Sequence, residues 1–360
     1  MLLTQTCRAP QLVYLVFGKN TYHQEAVFSI ASALAGMRES PDEQLAIQVF
    51  SDNPEPYRNL PVQVHVLDAA TREAWNGPHG YHFRAKPVVL GQVLKQSSLA
   101  LLIDTDTFFH ASPMELFRRI QPGTLLCNAV GQRYGDNKAN PLHRNLAGML
   151  NERGLADDRM PLLNSGVIGL HQDDALLLEQ TTALIDECFA LAEGAYTLEE
   201  FCLSIAAYRT CQVRDCPDLI HHYWSRKALF RAKVQAWLRK HGHAPLRQQA
   251  LDDTRLVTAQ LPRPPAMRRL AYKCLTLAMP AAQRQFTLEI LYGCYRHHNE
   301  FDRACAPAWW EKAKANSEKR LRRQLEPRQL ERWLDQPWVR SILGHQRQAI
   351  VQHLAPRQTG

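Results

Sequence analysis

The spacing of apolar residues predicts alternating strands and helices in the first part of the chain. Apolar runs at 12–17, 45–50 and 62–67 have the length of strands. Residues 23–36 carry apolar side chains at helical spacing, and Gly36 is expected to end that helix. Strand–helix–strand order at this length is typical of right-handed parallel crossovers. The pattern therefore predicts an α/β fold with a mainly parallel sheet flanked by helices.

An unbroken apolar run, Leu99–Ile103, leads directly into Asp104-Thr105-Asp106. Such a run is typical of a strand buried on both faces, and open α/β sheets bind ligands at the carboxyl ends of their strands. Paired carboxylates that leave room for water and phosphate oxygens suit Mg²⁺ or Mn²⁺. Asp104 and Asp106 are therefore candidate metal ligands, although Asp is also common in plain turns after strands.

The segments after this motif continue the alternation. Residues 123–130 are expected to form a strand, and residues 173–192 and 197–208 are expected to form helices. Thr197 followed by Glu200 has the spacing of a capping box at the start of the last helix. The polar, turn-rich segment 131–160 is expected to be a loop over the active site.

Charge divides the chain into two differently built parts. The 360 residues are 45% hydrophobic and 22% charged, which is ordinary for a soluble globular protein. Residues 226–360 contain 26 Lys and Arg against 10 Asp and Glu, whereas the preceding residues contain 17 against 25. We therefore expect an α/β catalytic domain over residues 1–230 and a basic helical region over residues 231–360, with a linker near 262–265.

Several classes of protein are disfavoured by what the sequence lacks. The sequence contains no run of about 18 uncharged apolar residues, so it predicts no membrane-spanning helix. The N-terminal residues lack the order of a secretory signal, and the nine cysteines have no repeating spacing. We therefore expect a cytoplasmic protein with reduced thiols. No Walker A loop or dinucleotide fingerprint is found, which disfavours ATPases, kinases and dehydrogenases.

Four residues near predicted strand ends and helix starts are candidates for contacting a nucleotide diphosphate. Tyr14 lies in the first predicted strand, and Asp52 follows the second, where it also suits a turn. Arg84 and Lys86 precede Pro87, which suits the first turn of a helix, and helix starts attract anions. Two exposed cations at a solvated helix start are the alternative interpretation of that pair.

Asn164-Ser165-Gly166 precedes another apolar strand. The glycine permits close backbone approach, and Asn and Ser offer donors and acceptors to hydroxyl groups. Further along the chain, the pair His221-His222 could supply a neutral imidazole that joins two carboxylates on Mn²⁺. A zinc site is the rival use of this region, although its spacing matches no usual zinc motif. That rival set comprises Cys202, Cys211, Cys216 and His221.

Taken in order, these motifs resemble those of nucleotide-sugar glycosyltransferases with the GT-A fold. The resemblance is to the family-8-like group that includes glycogenin and bacterial galactosyltransferases, and it covers about residues 10–230. It rests on Asp-x-Asp, Asn-Ser-Gly, the acidic pair Glu199-Glu200 and a late His. It implies a GT-A-like domain that moves a sugar from a nucleotide-diphosphate sugar, with UDP-sugars favoured, to a glycan, lipid-linked or protein acceptor. Transfer in that group depends on Mn²⁺ or Mg²⁺ and retains the anomeric configuration.

The resemblance also implies roles for individual residues. Asp104, Asp106 and His222 would hold the metal. Asn164 and Glu199 would act with Asp104 and Asp106 at the reacting sugar. The remaining donor contacts would come from residues at strand ends, at helix starts and in the Asn-Ser-Gly turn: Tyr14, Asp52, Arg84, Lys86, Ser165, Gly166 and Lys227.

Two other functions match parts of the sequence. A strand ending in Asp-Thr-Asp-Thr is similar to the motif of haloacid-dehalogenase-like phosphatases, in which Asp104 would be the nucleophile. That motif normally follows the first strand of its domain, and Phe108 replaces the usual Thr or Val. A non-catalytic binding or scaffold protein with a transferase-like fold is the second alternative.

The basic C-terminal region also contains tryptophans, at Trp309, Trp310, Trp333 and Trp338. A small helical bundle with a charged exterior is the simplest interpretation of this region. Basic amphipathic helices with aromatic residues also bind membrane surfaces, so peripheral contact with the inner face of the membrane is a hypothesis. Nucleic acid is not expected as a partner.

Overall fold

The computed structural model describes residues 9–355, so Cys7 lies outside the described residues. These residues divide into two compact units. The first contains the described residues up to His222 together with Ala244–Asp252. The second contains Tyr223–His243 and the described residues from Asp253 onward.

The first unit is built on a seven-stranded sheet, with a separate two-stranded sheet of β5 and β9. Its strands, in chain order, are β1 (Gln11–Val16), β2 (Ala46–Ser51), β3 (Gln63–Val66), β4 (Leu99–Ile103), β5 (Thr107–Phe109), β6 (Thr124–Arg133), β7 (Pro161–His171), β8 (Gln212–Asp215) and β9 (Ile220–His222). The order across the large sheet is β3-β2-β1-β4-β7-β6-β8, and β7 alone runs antiparallel to its neighbours. The fold class expected from the sequence, a mainly parallel sheet flanked by helices, is confirmed.

Helices of the first unit flank this sheet, and their apolar side chains form its core together with those of the strands. The last four residues of β4, Ala100–Ile103, are buried, as expected for a central strand, and Leu99 at its start is half-buried. The helices are α1 (Asn20–Met37), α2 (Ala69–Asn76), α3 (Ala85–Leu94), α4 (Pro113–Phe117), α5 (Pro141–Glu152), α6 (Leu176–Cys188) and α7 (Leu198–Ala207).

Two expectations about this unit are wrong. Helix α1 does not end at Gly36 but continues to Met37. A Cβ on Gly36 would lie 2.6 Å from the carbonyl oxygen of Ala111, so this glycine allows close packing and does not terminate the helix. Segment 131–160 is not a loop, because it contains the end of β6 and the whole of α5. Asn140 caps α5, which buries apolar side chains at helical spacing among the polar ones.

The second unit contains helices and no strand within its described residues. Trp309, Trp310 and Trp333 are buried in its apolar interior, so these tryptophans are core residues and not surface anchors. No helix within residues 9–355 has both the length and the apolarity needed to span a bilayer. The helices are α8 (Lys227–His241), α9 (Gln248–Thr254), which crosses from the first unit to the second, α10 (Ala266–Leu275), α11 (Ala281–Gly293), α12 (Glu300–Arg303), α13 (Ala306–Leu321), α14 (Pro327–Leu334), α15 (Pro337–Leu343) and α16 (Gln346–Leu354).

Candidate metal and donor site

Strand pairing brings two carboxylates and an imidazole together at the end of β4. Asp104 follows β4, and its backbone N–H donates to the carbonyl of Gly166 at 2.9 Å. Strand β5 pairs antiparallel with β9, which sets Thr107 opposite His222. As a result, His222 Nε2 lies 3.5 Å from Asp106 Oδ1 and 3.8 Å from Asp104 Oδ2. These separations exceed a normal hydrogen bond and leave three ligand atoms facing one another.

This cluster has the composition of a metal site. The ligand atoms of Asp104, Asp106 and His222 all lie within 4.8 Å of one another. Within residues 9–355 it is the one such group of three or more His, Cys, Asp or Glu side chains. The rival zinc set is not gathered there, and Cys216 Sγ instead donates to the carbonyl of Cys127 at 3.1 Å.

Asn164 fixes the orientation of the His222 ring. Its Nδ2 donates to Glu200 Oε1 at 2.8 Å, which leaves Oδ1 to face His222 Nδ1 at 2.9 Å. The backbone N–H of Gly166 also donates to Asn164 Oδ1, at 3.2 Å. Because Oδ1 can only accept, the neutral imidazole carries its proton on Nδ1 and points the Nε2 lone pair at the two aspartates.

Gly166 leaves the space that the His222 ring occupies. A Cβ on Gly166 would lie 2.0 Å from His222 Nδ1 and 2.3 Å from its Cε1. No real Cβ contact is this short, so any side chain here would displace the ring. The sequence predicts that another group lies close to the backbone at Gly166, and that group is the imidazole of His222.

Lys86 is a buried cation beside the aspartates. Its Nζ lies 2.7 Å from Asp104 Oδ1 and 3.8 Å from Glu199 Oε2. Burial by itself lowers the pKa of Lys86, but the negative charges of Asp104 and Glu199 outweigh burial and raise the pKa above its ordinary value. Lys86 is therefore charged, and it places one positive charge beside Asp104.

Glu199 is only 2% exposed and lies at the start of α7. Ser165 Oγ donates to its Oε2 at 2.7 Å, whereas its Oε1 is buried without a hydrogen-bond partner among the described residues. Burial raises the pKa of Glu199 to about 7, although Lys86 and the Ser165 hydrogen bond act in the opposite direction. A carboxyl group of this kind can hold or release a proton near neutral pH.

Glu200 is a site residue that the sequence interpretation assigned to capping. Thr197 makes no side-chain capping bond, so the expected capping box is wrong. Glu200 Oε1 instead accepts from Asn164 Nδ2 and from the backbone N–H of Ser165, at 2.8 and 3.2 Å. Burial raises the pKa of Glu200. Two donors from β7 compete better for this carboxylate than one helix-end N–H, and only the packing of α7 on β7 makes them available.

Asp52 and Tyr14 lie in the β1–β2 part of the unit and make internal contacts. Asp52 Oδ2 accepts from the backbone N–H of Gly18 at 2.9 Å and lies 3.3 Å from Arg72 Nη1. Its Oδ1 lies 3.3 Å from His23 Nε2. Tyr14 is fully buried, with its hydroxyl 3.0 Å from Ser29 Oγ. The donor-binding roles of Asp52 and Tyr14 stay predictions.

The two remaining cations assigned to the diphosphate have different surroundings. Arg84 forms a two-bond ion pair with Asp186 on α6, at 2.7 and 2.8 Å, and donates to the carbonyl of Trp75. This guanidinium ties the start of α3 to α6, and a contact of Arg84 with the diphosphate stays a prediction. Lys227 is the first residue of α8 in the second unit, and its role stays a prediction.

A small pocket of about 200 Å³ borders the Glu200 carboxylate. Amide and hydroxyl side chains line it, among them Asn137 from segment 131–160, Thr197 just before α7 and Ser204 within α7. The segment that the sequence interpretation treated as a loop thus supplies one wall of this pocket. Groups of this kind are suited to bonding carbohydrate hydroxyls.

Replacing Glu199 by Gln is expected to remove a pH-dependent loss of stability. The unfolded carboxyl releases its proton near 4.5 and the folded one near 7, so the contribution of Glu199 is full at low pH and is lost as the pH rises through about 7. Urea unfolding at about pH 5 and about pH 7.5 measures this slope. Glu152→Gln, at an exposed position on α5, should keep the wild-type slope. An unchanged slope in Glu199→Gln would contradict the assignment.

No protein-family model matches the chain, and no curated protein sequence matches it. Among solved structures, the chain is similar to mouse xyloside xylosyltransferase 1 in its apo form, with 14% identity and a TM-score of 0.41 over 58% of this chain and 85% of that one. It is similar to the galactosyltransferase LgtC with donor and acceptor sugar analogues, with 13% identity and a TM-score of 0.37 over 54% and 70% of the two chains. An active-site mutant of LgtC has 12% identity and a TM-score of 0.39 over 68% and 83%.

Proposed function

We propose that this protein is a metal-dependent glycosyltransferase whose donor is a nucleotide-diphosphate sugar, with UDP-sugars favoured. The observation that carries the proposal is the meeting of Asp104, Asp106 and His222 at the end of β4, next to the buried cation Lys86. A ligand set and a cation in one place suit a diphosphate, which needs charge neutralisation on several oxygens.

The ligand set suits Mn²⁺ or Mg²⁺. Two carboxylates supply hard oxygen ligands, and an imidazole with its Nε2 lone pair directed at them is acceptable to Mn²⁺. The hydrogen bond from His222 Nδ1 to Asn164 is the outer contact that metal-binding histidines usually have. When bound, the ion neutralises charge on the leaving nucleoside diphosphate.

The protein's own residues complete the proposed site. Lys86 holds Asp104 in place and adds positive charge where negative charge develops on the leaving group. Ser165 and Glu199 face the donor sugar. Glu199 Oε1 accepts a hydrogen bond from a sugar hydroxyl when the carboxyl group is ionised, and the protonated carboxyl group donates one. Asn164 acts through His222 as a positioning residue. We further propose transfer with retention of configuration, to a glycan, lipid-linked or protein acceptor.

Location is a separate part of the proposal. The eight cysteines among the described residues are all free thiols. Free thiols at this number are typical of a reducing compartment. We therefore propose that the protein works in the cytoplasm.

Binding of the donor together with the metal tests the proposed function. The melting temperature of the full chain is measured with UDP-, GDP- and CMP-sugars, each with and without Mn²⁺. A UDP-sugar with Mn²⁺ is expected to stabilise the protein by about 2.7 kcal/mol at a hundred times its Kd, and either ligand alone by much less. Release of free sugar, with water as acceptor, is measured on the same samples.

Two outcomes would overturn the transferase proposal. No stabilisation by any sugar nucleotide, together with no release of sugar, favours the non-catalytic scaffold. Release of inorganic phosphate from phosphomonoesters favours the phosphatase alternative, in which Asp104 is the nucleophile. Asp104 Oδ1 lies 2.7 Å from Lys86 Nζ and its Oδ2 lies 3.8 Å from His222 Nε2, so both oxygens already face other groups of the proposed metal and donor site.

A further inference from the structure

The second unit carries a cationic pocket that the proposed sugar transfer does not use. Its volume is about 500 Å³. Four cationic side chains line it, and Leu270, Tyr292 and Trp309 contribute apolar and aromatic walls. The cations are Arg263, Arg269, Lys273 and Lys312.

Three of the four cations have no counter-ion within residues 9–355. The carboxylate of Glu289 also lines the pocket, where Lys312 Nζ lies 3.3 Å from its Oε1 and over the ring of Trp309, so these two charges offset each other. In contrast, the side chains of Arg263, Arg269 and Lys273 form no ion pair with a described residue, and Arg269 Nε is buried without a hydrogen-bond partner. Cations gathered around one cavity repel each other, and an anion in the cavity relieves that repulsion. The pocket is therefore suited to a phosphate group.

Helix α10, which supplies part of this pocket, also exposes apolar side chains to solvent. Met267, Leu270 and Leu275 are 77%, 55% and 51% exposed, and Leu277 just beyond the helix is 71% exposed. At the helical turn of about 100° per residue, the three α10 side chains lie on one face with Ala271 and Cys274, in an arc of about 140°. Tyr272, the buried residue of α10, lies on the opposite side.

Positive charge flanks this apolar arc. Lys273 lies about 60° beyond one edge of the arc and Arg268 about 20° beyond the other, whereas Arg269 lies on the opposite face of α10. Residues 254–288 contain six Arg and Lys and no Asp or Glu. An apolar helix face between cationic edges is the pattern of helices that lie in the headgroup region of anionic membranes.

We propose that the pocket binds the phosphate headgroup of an anionic membrane lipid while the apolar arc of α10 contacts the boundary between headgroups and acyl chains. The inference does not rest on the proposed function, because its residues all belong to the second unit and none is assigned to sugar transfer. A soluble phosphate or a nucleic acid would use the cations but leave the apolar arc in water. A lipid surface satisfies both features at once.

Sedimentation of the full chain with vesicles tests the proposal. Vesicles of phosphatidylcholine with phosphatidylglycerol are expected to bind the protein, and vesicles of phosphatidylcholine alone are not. The double substitution Arg269→Gln and Lys273→Gln is expected to lower vesicle affinity roughly 25-fold, about fivefold for each charge near an anionic surface. Leu270→Ser with Leu277→Ser, at exposed positions, is expected to lower it at least about tenfold without lowering the melting temperature.

A matched control removes the same charge elsewhere in the second unit. Lys319→Gln with Arg320→Gln neutralises two exposed cations of α13 that do not line the pocket. This pair is expected to keep most of the vesicle affinity. Equal losses in the two charge variants would show a general attraction of basic protein to anionic lipid and would overturn the pocket as the binding site.

Solution ligands separate the lipid from other sources of phosphate. Inorganic phosphate, glycerol phosphate and a short DNA duplex are titrated against the full chain without vesicles. Binding of one of these through Arg269 and Lys273, with no binding of anionic vesicles, would overturn the lipid assignment. Vesicle binding that needs both the pocket cations and the apolar arc is the expected result.

Discussion

Replacing Asp106 by Asn is expected to lower Mn²⁺-stimulated release of sugar from the nucleotide donor by about 1,000-fold. The substitution keeps the size of the side chain but removes one anionic ligand from the Asp104–Asp106–His222 cluster. Loss of metal-based charge stabilisation amounts to several kcal/mol in the transition state, and about 4 kcal/mol corresponds to this factor. Initial rates with saturating UDP-sugar, with and without Mn²⁺, measure it.

Asp104→Asn is expected to have an equal effect on activity and a second effect on stability. It removes the carboxylate that lies 2.7 Å from the buried Lys86 ammonium. Among the described residues, Lys86 then keeps only the more distant Glu199, at 3.8 Å, as an ion-pair partner, so Asp104→Asn should be less stable than Asp106→Asn by about 1–3 kcal/mol. Asp106→Asn is therefore the sharper test of metal binding, and the free energy of unfolding distinguishes the two variants.

Asp42→Asn is the matched control, because it removes an exposed carboxylate from the segment between α1 and β2. Its activity and metal dependence should equal those of the wild type. Full Mn²⁺ stimulation in Asp106→Asn would contradict the proposed ligand set. Equal losses with and without Mn²⁺ would show that Asp106 matters for a reason other than the metal.

Gly166→Ala is expected to weaken Mn²⁺ binding by about 10- to 100-fold, the usual cost of disturbing the support of a metal ligand. The added methyl group would lie 2.0 Å from His222 Nδ1, so the ring must leave the position in which Asn164 orients it. Overpacking should also lower the free energy of unfolding by about 1–3 kcal/mol. Titration of Mn²⁺ by calorimetry and urea unfolding measure the two effects separately.

Two variants separate the ring from general damage. Gly148→Ala, inside α5 with no atom within 4 Å of the new Cβ, should raise stability by about 0.5–1 kcal/mol and leave Mn²⁺ binding unchanged. His222→Ala should weaken Mn²⁺ binding like Gly166→Ala but without the steric clash. If Gly166→Ala binds Mn²⁺ as tightly as the wild type, His222 is not a ligand.

The fold class and the position of the polar residues at the end of β4 follow from the amino-acid sequence alone. Both depend on local patterns. A buried strand requires a run of apolar residues, and polar residues follow where the chain emerges from the core. The run Leu99–Ile103 followed by Asp104 and Asp106 carries that information without any partner. Helix α5 carries similar local signals in Asn140-Pro141 and in the spacing of its leucines, but the polar composition of the segment led to the wrong prediction of a loop.

The pairing of β5 with β9 places His222, the histidine that the family resemblance implied, beside the aspartates. Neighbouring residues of a strand point to opposite faces, so the register of β9 against β5 selects one of the two histidines. His222 lies opposite Thr107 and reaches the carboxylates, whereas the ring of His221 lies 5.1 Å from that of Phe108. Register depends on contacts across more than a hundred residues, which no local pattern specifies.

The partners of the charged residues were likewise decided by packing. Arg84 and Lys86 are two residues apart and look alike in the sequence, yet one pairs with Asp186 on α6 and the other with Asp104. Glu200 bonds to Asn164 and not to its own helix end, because α7 packs on β7. A charged side chain bonds to whichever groups the fold brings within reach, so its role follows from the assembled sheet and not from its position in the chain.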